Sequence, residues 1–546
     1  MLMNKGKIGL ATGFLISAVL WFGLLGYRDL TDPDEGRYAQ IPAAMVDSGD
    51  WITPRLNDFK YFEKPALQYW ATGAIYKMFG KTNATARLWT ALTGFALALV
   101  AALLAFELGG RNAAVFAYLI TISSMMFVVF GHVLTLDMAL SFFVVGAVGS
   151  LVVAQSRVSG SAWTRNWMLV AWGSMALATL TKGLVAIVLA AGTVVIYSIW
   201  QRDLKLWKNL HLFKGLVLFL LIAAPWFLAV SAANPGFAEF FFIHEHFDRY
   251  TSQVHHREGP LYYFIPFLLL GVCPWLMISL KSLFTPGFTW IASDPGTFDA
   301  ERFLWTFVVF TLAFFSLGQS KLPGYILPVI PVIAVLSSGH LSQVKRTGAD
   351  RWVMGILGIA ICVAGYGVTY LASNRYPLQQ WIAYSPWLVA SGLFFLMAAV
   401  SLSVFKNKPI PAYAIAAILC LGAVQSLILG FNSLSETRSG RMIADAITNS
   451  VPDGTPVFTF QTLSESAVFY LDSNVTLVEY IGELEMGIKL EPHKYVRHYE
   501  SFVRQWQNLE QAALIVDVDK FDQQDLHDLR GKIVYRGPKR MVIIKS

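Results

Sequence analysis

Charge is scarce in this 546-residue chain: 14% of residues are Asp, Glu, Lys or Arg, against about 25% in an ordinary soluble domain. Hydrophobic residues make up 55% and aromatics 14%, and the mean hydropathy is +0.52. A soluble core could not enclose that much apolar surface, so a cytosolic enzyme and a disordered chain are both excluded. Cysteine is equally scarce. Cys273, Cys362 and Cys420 each sit inside an apolar segment, which excludes a disulfide scaffold and a cysteine metal cluster. No Walker A loop or dinucleotide fingerprint occurs, so no nucleotide cofactor is expected. Internal repeats of the kind many transporters carry are absent too.

What the chain has instead is long apolar runs. They predict about thirteen spanning helices, near 8–26, 84–108, 113–131, 138–154, 168–181, 184–200, 215–232, 261–280, 303–317, 326–344, 352–372, 387–405 and 412–430. The first run follows Lys5 and Lys7 but precedes no small-residue cleavage site, so it reads as an uncleaved span. Alternate loops carry the cations, among them Arg157, Arg165, Arg202, Lys205, Lys208 and Lys214, while the opposite loops carry almost none. The positive-inside rule then places the N-terminus in the cytoplasm and, with an odd count, the C-terminus outside. The same bias accounts for the net charge of +7 and removes the nucleic-acid partner it would suggest in a soluble protein.

Beyond residue 430 the spanning runs stop. Short β-rich segments such as 513–518 and 541–544 alternate with helix-like stretches such as 499–509. The pattern predicts a small α/β domain over 431–546, after a membrane domain over 1–430 with outer loops at 27–83, 232–260 and 318–325.

Unusual polar residues collect in those outer loops. Asp32-Pro33-Asp34-Glu35-Gly36-Arg37-Tyr38 reads as a helix start, with Asp32 as cap, Pro33 at the first position and Glu35 at the third. The same helix would place Asp34, Arg37 and Tyr38 on one face. Tyr61-Phe62-Glu63-Lys64-Pro65 follows. Its Glu-Lys pair suits either a snorkelling interface anchor or a binding site. The stretch 67–79 is too short to span and reads as an interfacial helix, forming a shelf over the bundle. Asp137 and Lys182 occupy matching outer turns, where a lone charge is costly; they form an ion pair or serve as an acid and a phosphate-binding cation. In the loop 232–260, His244 and Asp248 stand four apart as weak metal candidates, beside Glu245 and Arg249 as a surface ion pair. Lys321 and Tyr325 flank a Pro-Gly break. Cations at this density suit phosphates, and with no nucleotide site the donor would have to arrive activated within the membrane.

The two first-loop motifs, the thirteen-span count and the outer C-terminal domain resemble the lipid A aminoarabinose transferases, a branch of the glycosyltransferase C superfamily related to the protein O-mannosyltransferases. The resemblance extends over essentially the whole chain. It implies a bacterial inner-membrane, multi-pass glycosyltransferase that moves 4-amino-4-deoxy-L-arabinose from undecaprenyl phosphate to lipid A phosphate on the periplasmic face, conferring polymyxin resistance. It assigns Asp34 to the essential first-loop acid, with Arg37 and Tyr38 beside it, and Asp137 to a second acidic site. Lys64, Lys182 and Arg249 take the places of phosphate-facing cations, Tyr61 lies in the second motif, and Tyr325 belongs to a mobile loop after Lys321. Glu63 and His244 match positions linked to a divalent metal, plausibly zinc. A monomer is expected. The rival readings are a same-fold transferase of another polyprenyl-linked sugar such as mannose, and a lipid transporter. The clustering of ionisable residues on one side opposes the second.

Overall fold

The computed structural model describes residues 5–156, 161–202, 204–248, 259–284, 297–342, 348–367, 376–523, 526 and 529–545. Up to Gly430 the described elements are helices apart from one short hairpin. In order come α1 (Lys5–Phe22), α2 (Asp34–Ser48), the two-stranded hairpin β1 (Arg55–Leu56) and β2 (Phe59–Lys60), and α3 (Leu67–Phe79). Next are α4 (Asn83–Ser123), α5 (Met125–His132), α6 (Asp137–Gln155), α7 (Ala162–Lys182), α8 (Val185–Gln201), the single turn α9 (Lys205–Lys208) and α10 (Leu212–Ala233). Further apolar helices follow to Pro409–Gly430. Seven helices among the described residues are long and apolar enough to cross a membrane, and an eighth crossing is possible if the pair Phe264–Val272 and Leu276–Phe284, bent by 116°, counts as one.

Local chemistry explains several boundaries. α4 opens on a capping box in which Thr82 and Thr85 satisfy each other's backbone N–H. It breaks at Gly110, whose φ of 75° only glycine adopts cheaply, so one continuous helix assignment joins what the hydropathy reads as two spans. α7 is longer than its apolar run because Ser161 caps it seven residues before the run begins.

α2, the hairpin and α3 form a shelf at the end of the bundle where α6 begins and α7 ends. α3 coincides with the predicted interfacial stretch. It buries Gln68, Tyr69 and Thr72 inward and leaves Met78 and Phe79 exposed at its C-terminal end.

Beyond the bundle stands a six-stranded sheet in the order β5-β4-β3-β6-β8-β7. Its strands are β3 (Val457–Phe460), β4 (Thr476–Val478), β5 (Tyr495–Val496), β6 (Ala512–Asp517), β7 (Lys532–Arg536) and β8 (Arg540–Lys545). β5, β4, β3 and β6 are parallel, and β8 and β7 close the edge antiparallel. Strand alternation divides the side chains between two cores. Phe458 and Phe460 pack under helix Tyr499–Asn508 with Phe502 and Trp506. Val457, Ala513 and Ile515 face the opposite way, into one core with Phe469, Tyr38, Ile41 and Tyr69. The sheet and the shelf therefore share a hydrophobic core.

Candidate active site

The site is built outward from the start of α2. The capping arrangement read from the sequence does not form: Pro33 is the residue before the helix, with helical dihedrals and no side-chain cap. Asp32 turns away instead. It accepts hydrogen bonds from Ser464 Oγ (2.6 Å), from Ser466 N and Oγ (2.8 and 2.6 Å) and from Arg540 Nη1 (2.6 Å). A carboxylate that can be saturated by strong charge-assisted partners in the other domain gains more there than from a lone cap.

Glu35 reaches back to the Thr31 backbone N–H (3.0 Å) and hydroxyl (2.9 Å), one residue before the expected cap, and its other partners lie outside α2. Only 1% exposed, it accepts from Arg28 (2.7 and 2.9 Å), from Arg87 (2.8 and 3.0 Å) and from the backbone of Leu134 (3.1 Å). Burial pushes its carboxyl up, yet the two guanidinium groups outweigh burial and hold it well below the ordinary range. Glu35 thus pins the shelf to α4 and to the turn before α6, which frees its neighbour Asp34 for the surface. Asp34 is 54% exposed and lies 3.2 Å from Arg37.

Arg37 is buried between carboxylates. Besides Asp34, it meets Glu483 at 2.6 Å and Glu465 at 3.9 Å, both from the C-terminal domain. Around it stand Tyr38, Tyr61 and Tyr69, all buried, whose phenols are pushed up by burial and remain protonated. In the shelf Arg37 Nε, Tyr61 Oη and Tyr69 Oη, and on α3 also Thr72 Oγ1 and the Gln68 amide, have no hydrogen-bond partner among the described residues. Buried polar atoms left open in this way mark the place of a polar ligand or ordered water.

Lys64 lies at the border of the chamber of Tyr61 and Tyr69. Its ammonium donates to the Glu63 carbonyl (2.8 Å) and to a Glu245 carboxylate oxygen (3.0 Å). Burial pushes the Glu63 carboxyl up against the pull of Lys64. Opposite, Lys182 is ion-paired with Asp137 and stands 4.7 Å over the Tyr325 ring. Of the two readings open for Asp137 and Lys182, the ion pair forms, and it leaves Lys182 on the wall of a cavity. That cavity, about 330 Å³, has Glu63, Lys64, Lys182, Glu245, Ser320 and Tyr325 as its polar lining. Leu140, Leu184, Val185, Val188 and Phe314 line the rest.

Several expected site residues stand apart from this cavity. Lys321 is not exposed at the Pro-Gly break but buried, donating to the Gly259 carbonyl at 2.6 Å; it fastens the loop after the α10 region. Arg249 lies outside the described residues. His244, in a π-helix over Phe240–Asp248, packs its ring 5.3 Å from Phe240. Among the described residues, Glu63 and His244 belong to no group of three His, Cys, Asp or Glu able to hold a metal ion, and both Glu63 and Glu245 are directed at Lys64. Among the described residues this donor set does not fit a bound divalent metal, and the side chain of the other expected donor, Asp248, lies outside them.

Three carboxylates of the site escaped the sequence reading. Glu245 was assigned to a surface pair with Arg249, although its place in an aromatic run beside Phe242 is a visible signal of burial. Glu465 and Glu483 have no local signature, since only the fold carries them to Arg37. Tyr69 was hidden on the buried face of the interfacial helix.

Comparison with known proteins agrees with this geometry. Residues 8–241 match the family model of dolichyl-phosphate-mannose-protein mannosyltransferases, and residues 443–545 that of the aminoarabinose transferase C-terminal domain. The undecaprenyl phosphate-alpha-4-amino-4-deoxy-L-arabinose arabinosyl transferase of Shewanella sediminis is 29% identical over 90% of this chain and 91% of its own length. That of Pectobacterium carotovorum is 32% identical over 73% of each chain. The crystal structure of ArnT from Cupriavidus metallidurans bound to undecaprenyl phosphate superposes with a TM-score of 0.91 at 32% identity, covering 100% of this chain and 99% of that one. An Archaeoglobus fulgidus oligosaccharyltransferase shares the fold more distantly, at a TM-score of 0.53 and 13% identity. With motifs, fold and relatives in agreement, the chain belongs to the aminoarabinose (ArnT-type) transferase family of membrane glycosyltransferases.

Proposed function

We propose that this protein transfers 4-amino-4-deoxy-L-arabinose from undecaprenyl phosphate to a phosphate of lipid A at the periplasmic face of the inner membrane. The observation that carries the reading is the 330 Å³ cavity, whose lining combines two ammonium groups with a largely apolar wall. A polyprenyl phosphate has the same division between anionic head and hydrocarbon tail.

In the reaction the bond between the anomeric carbon and the donor phosphate oxygen breaks, and a bond to an acceptor phosphate oxygen forms. Undecaprenyl phosphate leaves with the additional negative charge, which Lys64 and Lys182 stabilise. Arg249 is a third candidate cation for the same phosphate. An acceptor phosphate is already ionised near neutral pH, so a general base is not required. Asp137 therefore holds Lys182 in place rather than taking a proton. Asp34, half open to solvent beside Arg37, orients the acceptor or holds the ammonium of the sugar. The open hydroxyls of Tyr61 and Tyr69, with Arg37 and the protonated phenol of Tyr38, suit sugar hydroxyls. Tyr325, over Lys182, closes the donor end.

The proposed arrangement is a thirteen-span bundle, residues 1–430, with its N-terminus in the cytoplasm and residues 431–546 in the periplasm. The one-sided distribution of Lys and Arg supports it. Mass spectrometry of lipid A tests the function in cells that lack their own transferase but make the donor. Aminoarabinose should appear with the unmutated chain and not with Asp34→Asn. Gain with both forms removes Asp34 from the mechanism. No gain with either, at verified expression, directs the assignment to another sugar or acceptor.

A further inference from the structure

A second cavity of about 170 Å³ lies between α6, α7 and α8, reaching from Ile187, next to the donor cavity's Val188, to Met168 near the start of α7. Its walls are almost wholly apolar, including Leu151, Met168, Met175, Ala190 and Val194. Met168 lies fourteen residues before Lys182 on α7, placing that end of the cavity roughly 20 Å further along the bundle than the donor cations at the 1.5 Å rise of a helix, while its other end reaches Ile187 on α8.

The floor of the cavity is the segment joining α8 to α10, which contributes Trp207, Leu210 and Leu212. This segment is built into the bundle. Leu206 and Leu210 are buried. Trp172 Nε1 donates to the Leu210 carbonyl (2.9 Å), Trp207 Nε1 to Ser198 Oγ (2.9 Å) and Asn209 Nδ2 to Gln155 Oε1 (3.3 Å). Gly215 makes the first contact possible, because a Cβ there would stand 2.0 Å from the Trp172 indole nitrogen.

The same segment carries cations outward. Arg202, Lys208 and Lys214 are exposed along it, and Arg165 is exposed on the first turn of α7. Between Asp137 and Glu239 the sequence holds one acid, Asp203, against Arg157, Arg165, Lys182, Arg202, Lys205, Lys208 and Lys214. Asp299 and Glu301 line a different cavity between helix Ala300–Leu317 and α4, and Asp299 is engaged with Arg302.

We propose that this cavity and its cationic rim form a binding site for an anionic phospholipid, distinct from the donor site. One acyl chain occupies the apolar space, and the phosphate lies on Lys208, Lys214 and Arg165 while Trp207 sits at the boundary between them. The charge imbalance favours an anionic lipid over a zwitterionic one by about fivefold for each lysine near the headgroup.

Native mass spectrometry of the full-length protein tests this, with dioleoyl phosphatidylglycerol, dioleoyl phosphatidylcholine and undecaprenyl phosphate each added to the detergent-purified chain. The unmutated protein should retain phosphatidylglycerol at least about tenfold better than phosphatidylcholine. Lys208→Gln/Lys214→Gln should reduce that preference towards equality and leave undecaprenyl phosphate binding unchanged. Ala190→Phe, which fills the cavity, should lower phosphatidylglycerol retention without touching the cations. Equal retention of the two phospholipids by the unmutated chain overturns the proposal. So does a preference that survives the double substitution, or an Ala190→Phe variant that loses undecaprenyl phosphate and keeps phosphatidylglycerol, which would give the cavity to the donor's tail. Because the charge variant alters only exposed side chains, the test stands even if Ala190→Phe fails to fold.

Discussion

Arg37 in the first loop and Glu483 in the C-terminal domain lie 2.6 Å apart, and both border the chamber of Tyr61 and Tyr69. The C-terminal domain thereby supplies part of the active-site wall. Glu483→Ala should abolish or severely reduce transfer, because the Arg37 charge loses its shortest ionic contact. A double-mutant cycle with Arg37→Ala, read from turnover of purified protein, should show strong non-additivity. Additive losses would mean that the two side chains act separately.

Lys64 and Lys182 are assigned to the leaving phosphate. Lys64→Ala should lower kcat by about 10²–10³, the usual loss when a transition-state charge stabiliser is removed. Lys182→Ala should do at least as much harm, since it also leaves Asp137 unpaired. Steady-state kinetics with the polyprenyl-linked donor separate this from a binding defect: an effect on KM alone contradicts the assignment.

Glu35 should prove structural. Removing its carboxylate leaves Arg28 and Arg87 buried without their anion, at a cost of about 3–5 kcal/mol. Thermal unfolding of Glu35→Ala should show a large fall in Tm, and the loss of activity should track the loss of folded protein. A stable, inactive variant would move Glu35 into the chemistry.

Glu465 gives the interdomain contact a pH dependence. Burial first, and then the nearby Asp32 carboxylate, push it up to about 8 from 4.5. Between those values the native chain keeps a proton that the unfolded chain has released, so stability falls as pH rises through that window. Melting temperature should therefore drop more steeply for the unmutated protein than for Glu465→Gln, whose neutral amide has no proton to lose. Parallel curves for the two proteins would show that Glu465 is ionised in the native state.

Gly36 permits the docking of α2 on the helix Glu465–Leu471. A Cβ at this position would lie 2.2 Å from Ser466 N and 2.6 Å from Glu465 C, both backbone atoms that cannot step aside. Gly36→Ala should loosen the C-terminal domain, detected as faster proteolysis between residues 431 and 464. It should also lose transfer activity while the membrane helices stay folded.

The membrane class, the shelf helix over 67–79 and the α/β character of residues beyond 430 were legible in the sequence, because hydropathy and strand alternation are local properties. The first-loop and Glu63-Lys64 motifs were legible for the same reason, since each contributes its polar groups from a few consecutive residues. Spacing could not tell Asp34 from its neighbours. Asp32 and Glu35 fit a helix cap on paper, and the fold draws one to Arg540 and the other to Arg28 and Arg87 because buried guanidinium groups are stronger partners than a helix N-terminus. Lys321 looked like a site cation and serves a backbone carbonyl. Glu465 and Glu483 reach Arg37 only because a sheet and a shelf share one hydrophobic core. Burial and long-range charge pairing decide which polar residues remain available for chemistry, and both are set by tertiary contacts that no local pattern encodes.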